Sequence, residues 1–217
     1  MEDDSPAGTH AAAGDLAEGA IRSGITLTAQ QFAAFEAYIA TLLFWRTRLS
    51  LTGAATPVDI VRAHILDSLA VVEHVPARSI LVDLGSGAGF PGVPLAIARP
   101  HASITLVESR RKRANFLREV VRRSQLANTS VVEGRAEELS ARAAGTFDVV
   151  VSRAVWSVPE LLPVAAELLR SGGLAIAMKG PKGMREARPS PGFRTPETVT
   201  YKLHAGIERM LLIFRKV

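Results

Sequence analysis

The sequence contains no cysteine, which excludes disulfide frameworks, thiolate metal sites and any mechanism with a cysteine nucleophile. It also lacks an uninterrupted apolar run of about 18 residues, the length needed to span a bilayer. The N-terminus opens on Glu2, Asp3 and Asp4 in place of the basic segment and apolar stretch of an export signal. A soluble, cytoplasmic protein is expected. His10, His74, His101 and His204 are scattered without metal-ligand spacing, so no metal is expected. No Gly-Lys-Ser/Thr follows a glycine-rich turn, which removes the phosphate-loop nucleotide hydrolases. No internal repeat is present.

What remains is 217 residues, 47% hydrophobic and 22% charged, enough for one domain with a full core and a small helical addition. The formal charge is +5, but residues 1–24 hold five acids against Arg22 alone, so the remainder carries +9. An excess of that sign attracts a polyanion and speeds encounter without choosing a sequence. A set of solvated cationic faces gives the same total.

Residues 1–24 are rich in alanine, glycine and acids and show no apolar period. They are expected to form a disordered tail, because ordering them recovers little burial. Thr28 with Gln31 makes a capping box, followed by Phe32, Phe35, Ile39, Leu42 and Leu43 at helical spacing to about Trp45. Thr56, Pro57 and Asp59 start a second helix that carries Ile60, Val61, Ile65, Leu69 and Val72 on one side. Residues 25–78 thus read as an N-terminal helical cap. From residue 79 to 217, short apolar runs alternate with helical segments, as in a parallel sheet covered on both faces. Strands are expected near Ile80–Leu84, Ile104–Glu108, Ser130–Glu133, Asp148–Ser152 and Leu174–Lys179. Helices are expected near Val93–Ala98, Arg110–Ser124 and Pro159–Arg170, the last stopped by Ser171-Gly172-Gly173. Thr198–His204 and Met210–Arg215 pair most simply as an antiparallel hairpin. The proline-rich residues 181–197 read as a surface loop.

The strongest local signal runs from Val82 to Gly92, a buried strand leading into the turn Gly85-Ser86-Gly87-Ala88-Gly89-Phe90-Pro91 and then a helix. Glycines admit positive φ and close approach of a ligand at the carboxyl edge of the sheet. Glu108 ends the next strand, where a carboxylate can accept from both ribose hydroxyls. Gly87, Gly89 and Gly92 match the dinucleotide spacing, yet a reading from Gly85 meets Phe90, whose ring would obstruct a pyrophosphate. Asp83 suits the amino group of a methionine moiety and would repel a diphosphate. Asp83, Gly85, Gly87 and Glu108 are therefore candidates to bind S-adenosylmethionine, with a dinucleotide and a purely structural glycine turn as the other readings.

Over residues 27–217 the chain resembles the bacterial 16S ribosomal RNA guanine-N7 methyltransferases, the glucose-inhibited division protein B family. The resemblance rests on Trp45, Leu51-Thr52 and His64-Ile65-Leu66-Asp67-Ser68-Leu69, on Asp83 to Gly92, and on Lys112-Arg113 and Phe116-Leu117. It continues through Arg135-Ala136-Glu137-Glu138, Ser152-Arg153-Ala154, Lys179-Gly180 and Glu208-Arg209. It implies a Rossmann-like S-adenosylmethionine-dependent methyltransferase fold. That fold is α/β, a mostly parallel seven-stranded sheet with an antiparallel C-terminal hairpin and an N-terminal helical cap. It also implies methyl transfer to N7 of a single guanine, nucleotide 527 by convention, in 16S ribosomal RNA or the assembling small subunit. Gly85, Phe90, Ala136, Glu137 and Arg153 would line the cofactor pocket. Arg46 and Ser50 stand where the family usually has asparagine, a departure confined to the cap.

In-line transfer from a sulfonium depends chiefly on positioning. Guanine N7 has a free lone pair and no proton to lose, so no catalytic acid or base is nominated. His64, Asp67 and Ser68 share one helix in an arrangement that does not make a hydrolytic triad, and they read as cap packing or RNA-side contacts. Arg111, Asn115, Arg118 and Arg122 form a stripe that is either a solvated face or a phosphate contact. Lys179, Lys182 and Arg185, with Arg188 and Arg194 in the loop beyond and with Arg209, are the candidates to grip RNA. A monomer without membrane association is expected. A methyltransferase of a small molecule or protein on the same fold, or a nucleotide-binding regulatory module, are the competing readings.

Overall fold

The computed structural model describes residues 6–217. Seven strands form one sheet: β1 Ile80–Leu84, β2 Ser103–Glu108, β3 Thr129–Glu133, β4 Phe147–Arg153, β5 Leu169–Lys179, β6 Glu197–Lys202 and β7 Glu208–Arg215. Their spatial order is β3-β2-β1-β4-β5-β7-β6. The first five are parallel, β7 runs antiparallel to β5, and β6 antiparallel to β7. The order reverses between β1 and β4, and in open α/β sheets that switch point opens a crevice at the carboxyl ends of the strands.

Alternation along the strands divides the core in two. Leu81, Ile104, Leu106, Val149, Val151, Ile176, Leu211 and Ile213 pack with the N-terminal helices on one face. Val82, Leu84, Val107, Val150, Ala175, Leu212 and Phe214 pack on the other against α7, Val158–Leu168. By the same alternation Asp83, Glu108, Arg153, Tyr201 and Arg209 belong to the cap face and Lys179 to the opposite one. This division decides which polar side chains can meet.

The cap begins earlier than its sequence suggests. Where a disordered tail was expected, α1 spans Pro6–Arg22 and buries Ala12, Leu16 and Ala20 at intervals of one helical turn; residues 1–5 lie outside the described residues. Apart from Leu16 the contact is made by small side chains, which a search for large apolar residues passes over. A Cβ on Gly19 would overlap the side chain of Leu66, which packs directly against the helix backbone because glycine is there. Asp15 adds an ion pair to Arg62 at 2.6 Å.

The capping box of Thr28 and Gln31 forms as expected and starts α2, Ala29–Leu49, which buries Phe35, Tyr38, Ile39 and Leu42. Thr56 and Asp59 likewise cap the segment at 57–69, labelled α3. That segment is continuous but not uniform: Pro57–Ile60 and Leu66–Leu69 are α-helical, while Val61–Ile65 between them forms a π-helix. Such widened turns recur at functional sites, and this one carries His64. The helix stops at Leu69, short of the expected Val72, which falls in a separate 3-10 turn.

The remaining helices are α4 Gly92–Ala98, α5 Arg111–Arg123 and α6 Ala136–Ser140, the last unforeseen because five residues show no period. Two boundaries also move. Helix α7 ends at Leu168, before Ser171-Gly172-Gly173, and those residues instead bulge β5, whose register jumps from Phe147 facing Leu169 to Val149 facing Leu174. The loop at 181–197 is anchored at both ends, by a 3-10 helix Pro181–Glu186 and by Phe193, which is buried against Phe214 and bridges to Lys216.

Replacing Leu16, 3% exposed, by alanine should lower the unfolding free energy by about 2–4 kcal/mol, the usual loss for a buried leucine. Chemical denaturation showing no change would mean that α1 does not dock.

Candidate active site

The glycine turn is fixed from three directions. Gly85 and Ser86 donate their backbone N–H to the carbonyl of Val107 at 3.0 and 2.9 Å, which hooks the turn onto the end of β2. Tyr38 donates its hydroxyl to the carbonyl of Ala88 at 2.7 Å from the cap side. Glu108, buried at the end of β2, accepts from Gly87 N–H at 3.1 Å and from Arg110 N–H at 2.7 Å. Gly85 and Gly87 have φ of 76° and 55°, a region costly for side-chain-bearing residues. The side chain of Val155, from the segment after β4, reaches within 3.1 Å of where a Cβ on Gly85 would stand.

Asp83 lies beneath this turn, fully buried. Its Oδ2 accepts from Gly92 N–H at 3.0 Å, capping α4, while Oδ1 is buried with no hydrogen-bond partner among the described residues. Burial pushes its carboxyl up to about 7, against the lowering pull of Gly92 N–H, Ser86 and Arg153. A buried acceptor without a donor is costly, and a ligand ammonium would relieve it. The same arrangement disfavours a dinucleotide, because the helix start that would receive a pyrophosphate is already occupied by a carboxylate. A carboxylate has about four acceptor sites, so Glu108 keeps capacity for ribose hydroxyls.

Phe90 is buried. Its ring turns into the cap, 5.4 Å from Tyr38 and 4.9 Å from His64 between centroids, with the Arg153 guanidinium 4.7 Å above it. Arg153 in turn reaches Asp67 Oδ2 at 3.2 Å and His64 Nδ1 at 3.4 Å. The other nitrogen of His64 lies 2.7 Å from the hydroxyl of Thr52. With a guanidinium donor facing Nδ1, the proton of the neutral ring belongs on Nε2. Burial and then Arg153 push His64 down to about 4, so it is uncharged at neutral pH. Ser68 donates to the backbone carbonyl of His64, and no triad forms. Tyr201 donates to Asp67 Oδ1 at 2.7 Å, with Arg209 Nε 3.9 Å from the same oxygen.

Sequence reasoning read Asp67 as cap packing or an RNA-side contact, without its partners, and passed over Tyr201. The available signal was two polar residues, Asp67 and Ser68, on the buried side of an amphipathic helix between Ile65 and Leu69. Of the expected cofactor residues, Asp83, Gly85, Gly87, Phe90, Glu108 and Arg153 converge. Ala136 and Glu137 sit at the same edge, where Gly134 N–H bonds the carbonyl of Glu108. Ala136 is buried in the core, and the Glu137 side chain is exposed with no partner among the described residues.

The cationic residues separate into two groups. Lys179, on the face away from the cap, donates to the carbonyl of Trp156 at 2.6 Å and to Glu186 at 3.2 Å, so it braces the loop and is not available to grip RNA. The stripe on α5 is largely neutralised, Arg118 by Glu133 and Arg122 by Glu119. Among the described residues Lys182, Arg185, Arg188 and Arg194 are exposed and unpaired, as are Arg110, Arg111 and Lys112 at the start of α5.

A parallel sheet with its order reversed at β1, a glycine turn there, an acid ending the next strand and an antiparallel final strand pair define a Rossmann-like methyltransferase domain. Among solved structures, M. jannaschii TYW2 in complex with AdoMet superposes with a TM-score of 0.57 at 15% identity, covering 72% of this chain and 77% of that one; the likeness is one of fold. Residues 31–195 match the family model GidB, rRNA small subunit methyltransferase G. The ribosomal RNA small subunit methyltransferase G of Xanthomonas axonopodis pv. citri is 40% identical over 181 residues, 82% of this chain and 84% of that protein. The protein of the same name from Lachnoclostridium phytofermentans is 35% identical over 205 residues, 89% of this chain and 85% of that protein. The chain belongs to the rRNA small subunit methyltransferase G family, and as a member it is an S-adenosylmethionine-dependent methyltransferase of small-subunit ribosomal RNA.

The raised carboxyl of Asp83 has two consequences of opposite sign. In the ligand-free protein the charge is costly, so the stability this group contributes is present below its unfolded pKa of about 3.9 and is lost as pH rises through about 7. An ammonium ligand needs the ionised form, so S-adenosylmethionine should bind more tightly as pH rises through about 7. Calorimetry should find that slope in the wild type and its loss in Asp83→Asn; equal slopes would exclude Asp83 as the amino-group partner.

Proposed function

We propose that the chain methylates N7 of a single guanine in 16S ribosomal RNA, nucleotide 527 by the family's convention, acting as a monomer in the cytoplasm. The observation that carries this reading is that neither possible base beside Phe90 and Arg153, His64 or Asp67, is free to take a proton. His64 has one nitrogen against a guanidinium and the other on Thr52, and both oxygens of Asp67 are engaged. A reaction that had to remove a proton from an exocyclic amine would need such a base, whereas N7 offers a lone pair directly.

S-adenosylmethionine supplies the electrophilic methyl group. The chain's own residues bind and orient. Asp83 takes the amino group, Glu108 the ribose hydroxyls, Gly85 and Gly87 permit close approach, and Ala136 and Glu137 border the adenine side. Arg153, resting on Phe90, faces the entering base. Lys182 and Arg185 on the loop beyond β5, with Arg209 at the start of β7, hold the RNA backbone on one flank. Arg110, Arg111 and Lys112 provide a second cationic flank across the carboxyl edge.

Reductive aniline treatment cleaves RNA at N7-methylguanine. After incubation with S-adenosylmethionine and unmodified small subunits, a single enzyme-dependent cut is expected; labelled RNA without any cut would move the target to another atom. Removing Lys182 and Arg185 together should reduce the slope of log affinity against log salt by roughly 1–2, near one for each phosphate no longer neutralised. An unchanged slope would remove both residues from the interface.

A further inference from the structure

The side chain of Asp67 is 6% exposed, and burying an ionised carboxylate is costly unless partners compensate. Here the partners come from two parts of the sheet that are distant from it in sequence. Arg153 ends β4, while Tyr201 and Arg209 face each other across the β6–β7 hairpin. Asp67 itself descends from the cap. Strand alternation brings the three sheet residues to the cap face, and His64, uncharged, completes the group. A packed apolar cluster would join cap and hairpin at no greater cost, since replacing buried ion pairs by hydrophobic residues is often neutral or stabilising. A buried charge kept beside Phe90 and the cofactor turn therefore points to a task in the reaction.

The charge count indicates the task. The methyl donor is a sulfonium, and the base acquires positive charge as the methyl group arrives. Arg153 and Arg209 add two guanidiniums to the same mouth, and unopposed like charges repel strongly where water is scarce. Asp67 lies between them, and the Tyr201 hydroxyl fixes its Oδ1 so that Oδ2 faces Arg153.

We propose that Asp67, held by Tyr201, is a positioning residue that keeps Arg153 on Phe90 and offsets its charge, so that the mouth tolerates the cationic methyl donor. The demethylated product has a neutral sulfur, and removing Asp67 penalises it far less. The inference rests on the cofactor and not on which RNA atom is methylated.

The test is calorimetric titration of the full chain with S-adenosylmethionine and, separately, with S-adenosylhomocysteine. Asp67→Asn should weaken the first about tenfold and the second by less than about twofold, because only the first carries the charge. Tyr201→Phe retains the packed ring and deletes the hydroxyl. It should shift the ratio of the two affinities in the same direction by about threefold, through loss of one hydrogen bond to a charged group. Should Asp67→Asn fail to fold, the Tyr201→Phe ratio decides alone. Equal weakening of both ligands, or an unchanged ratio, would overturn the proposal. Either result leaves the guanine assignment standing, since no RNA is present. A wild-type chain that bound neither ligand would instead remove the cofactor and this proposal together.

Discussion

The two oxygens of Asp83 are treated differently, and the carboxyl edge is organised around that difference. One oxygen caps α4 through Gly92 and so sets where the glycine turn must end. The other is buried without a partner among the described residues. The turn between them is pinned to β2 by Val107 and to the cap by Tyr38, so the fold holds an unsatisfied acceptor in a rigid frame. A carboxylate in that state destabilises the empty protein and favours a ligand that brings a donor. In the proposed reading, stability and affinity are coupled through one side chain.

The second constraint is the parity of the strands. Because side chains alternate, one face of the sheet receives Asp83, Glu108, Arg153, Tyr201 and Arg209 at its carboxyl edge, and the cap lies over that face. Helix α3 then contributes His64 and Asp67 from its π turn and the α turn after it. Cap, central strands and C-terminal hairpin thus meet in one charged cluster, although their residues are far apart in sequence. Lys179, one position out of phase, is directed to the other face and serves the loop there.

Much of this was legible in advance because it is written in local patterns. The capping box at Thr28, the helix cap at Thr56, apolar runs such as Ile80–Leu84 and the glycine turn after Asp83 each express a short-range physical preference, and each appears where expected. Helix α1 was not legible, since its docking depends on Gly19 receiving the side chain of Leu66, a contact between residues remote in sequence. The partners of Asp67 were hidden for a related reason. Nothing near residue 67 announces Tyr201, and only the antiparallel return of the last two strands brings them together. Lys179 misled because its residue type suggested RNA while its strand phase, readable in principle from Ile176 and Met178, assigned it to the opposite face.

The central claim is that the unpartnered oxygen of Asp83 is the anchor for the methionine end of the cofactor. A crystal structure of the chain with S-adenosylhomocysteine tests it most directly. The account predicts the ligand's amino nitrogen within hydrogen-bonding reach of Asp83 Oδ1, about 3 Å, with the ribose on Glu108. A ligand bound elsewhere, with Oδ1 still lacking a donor, would contradict it.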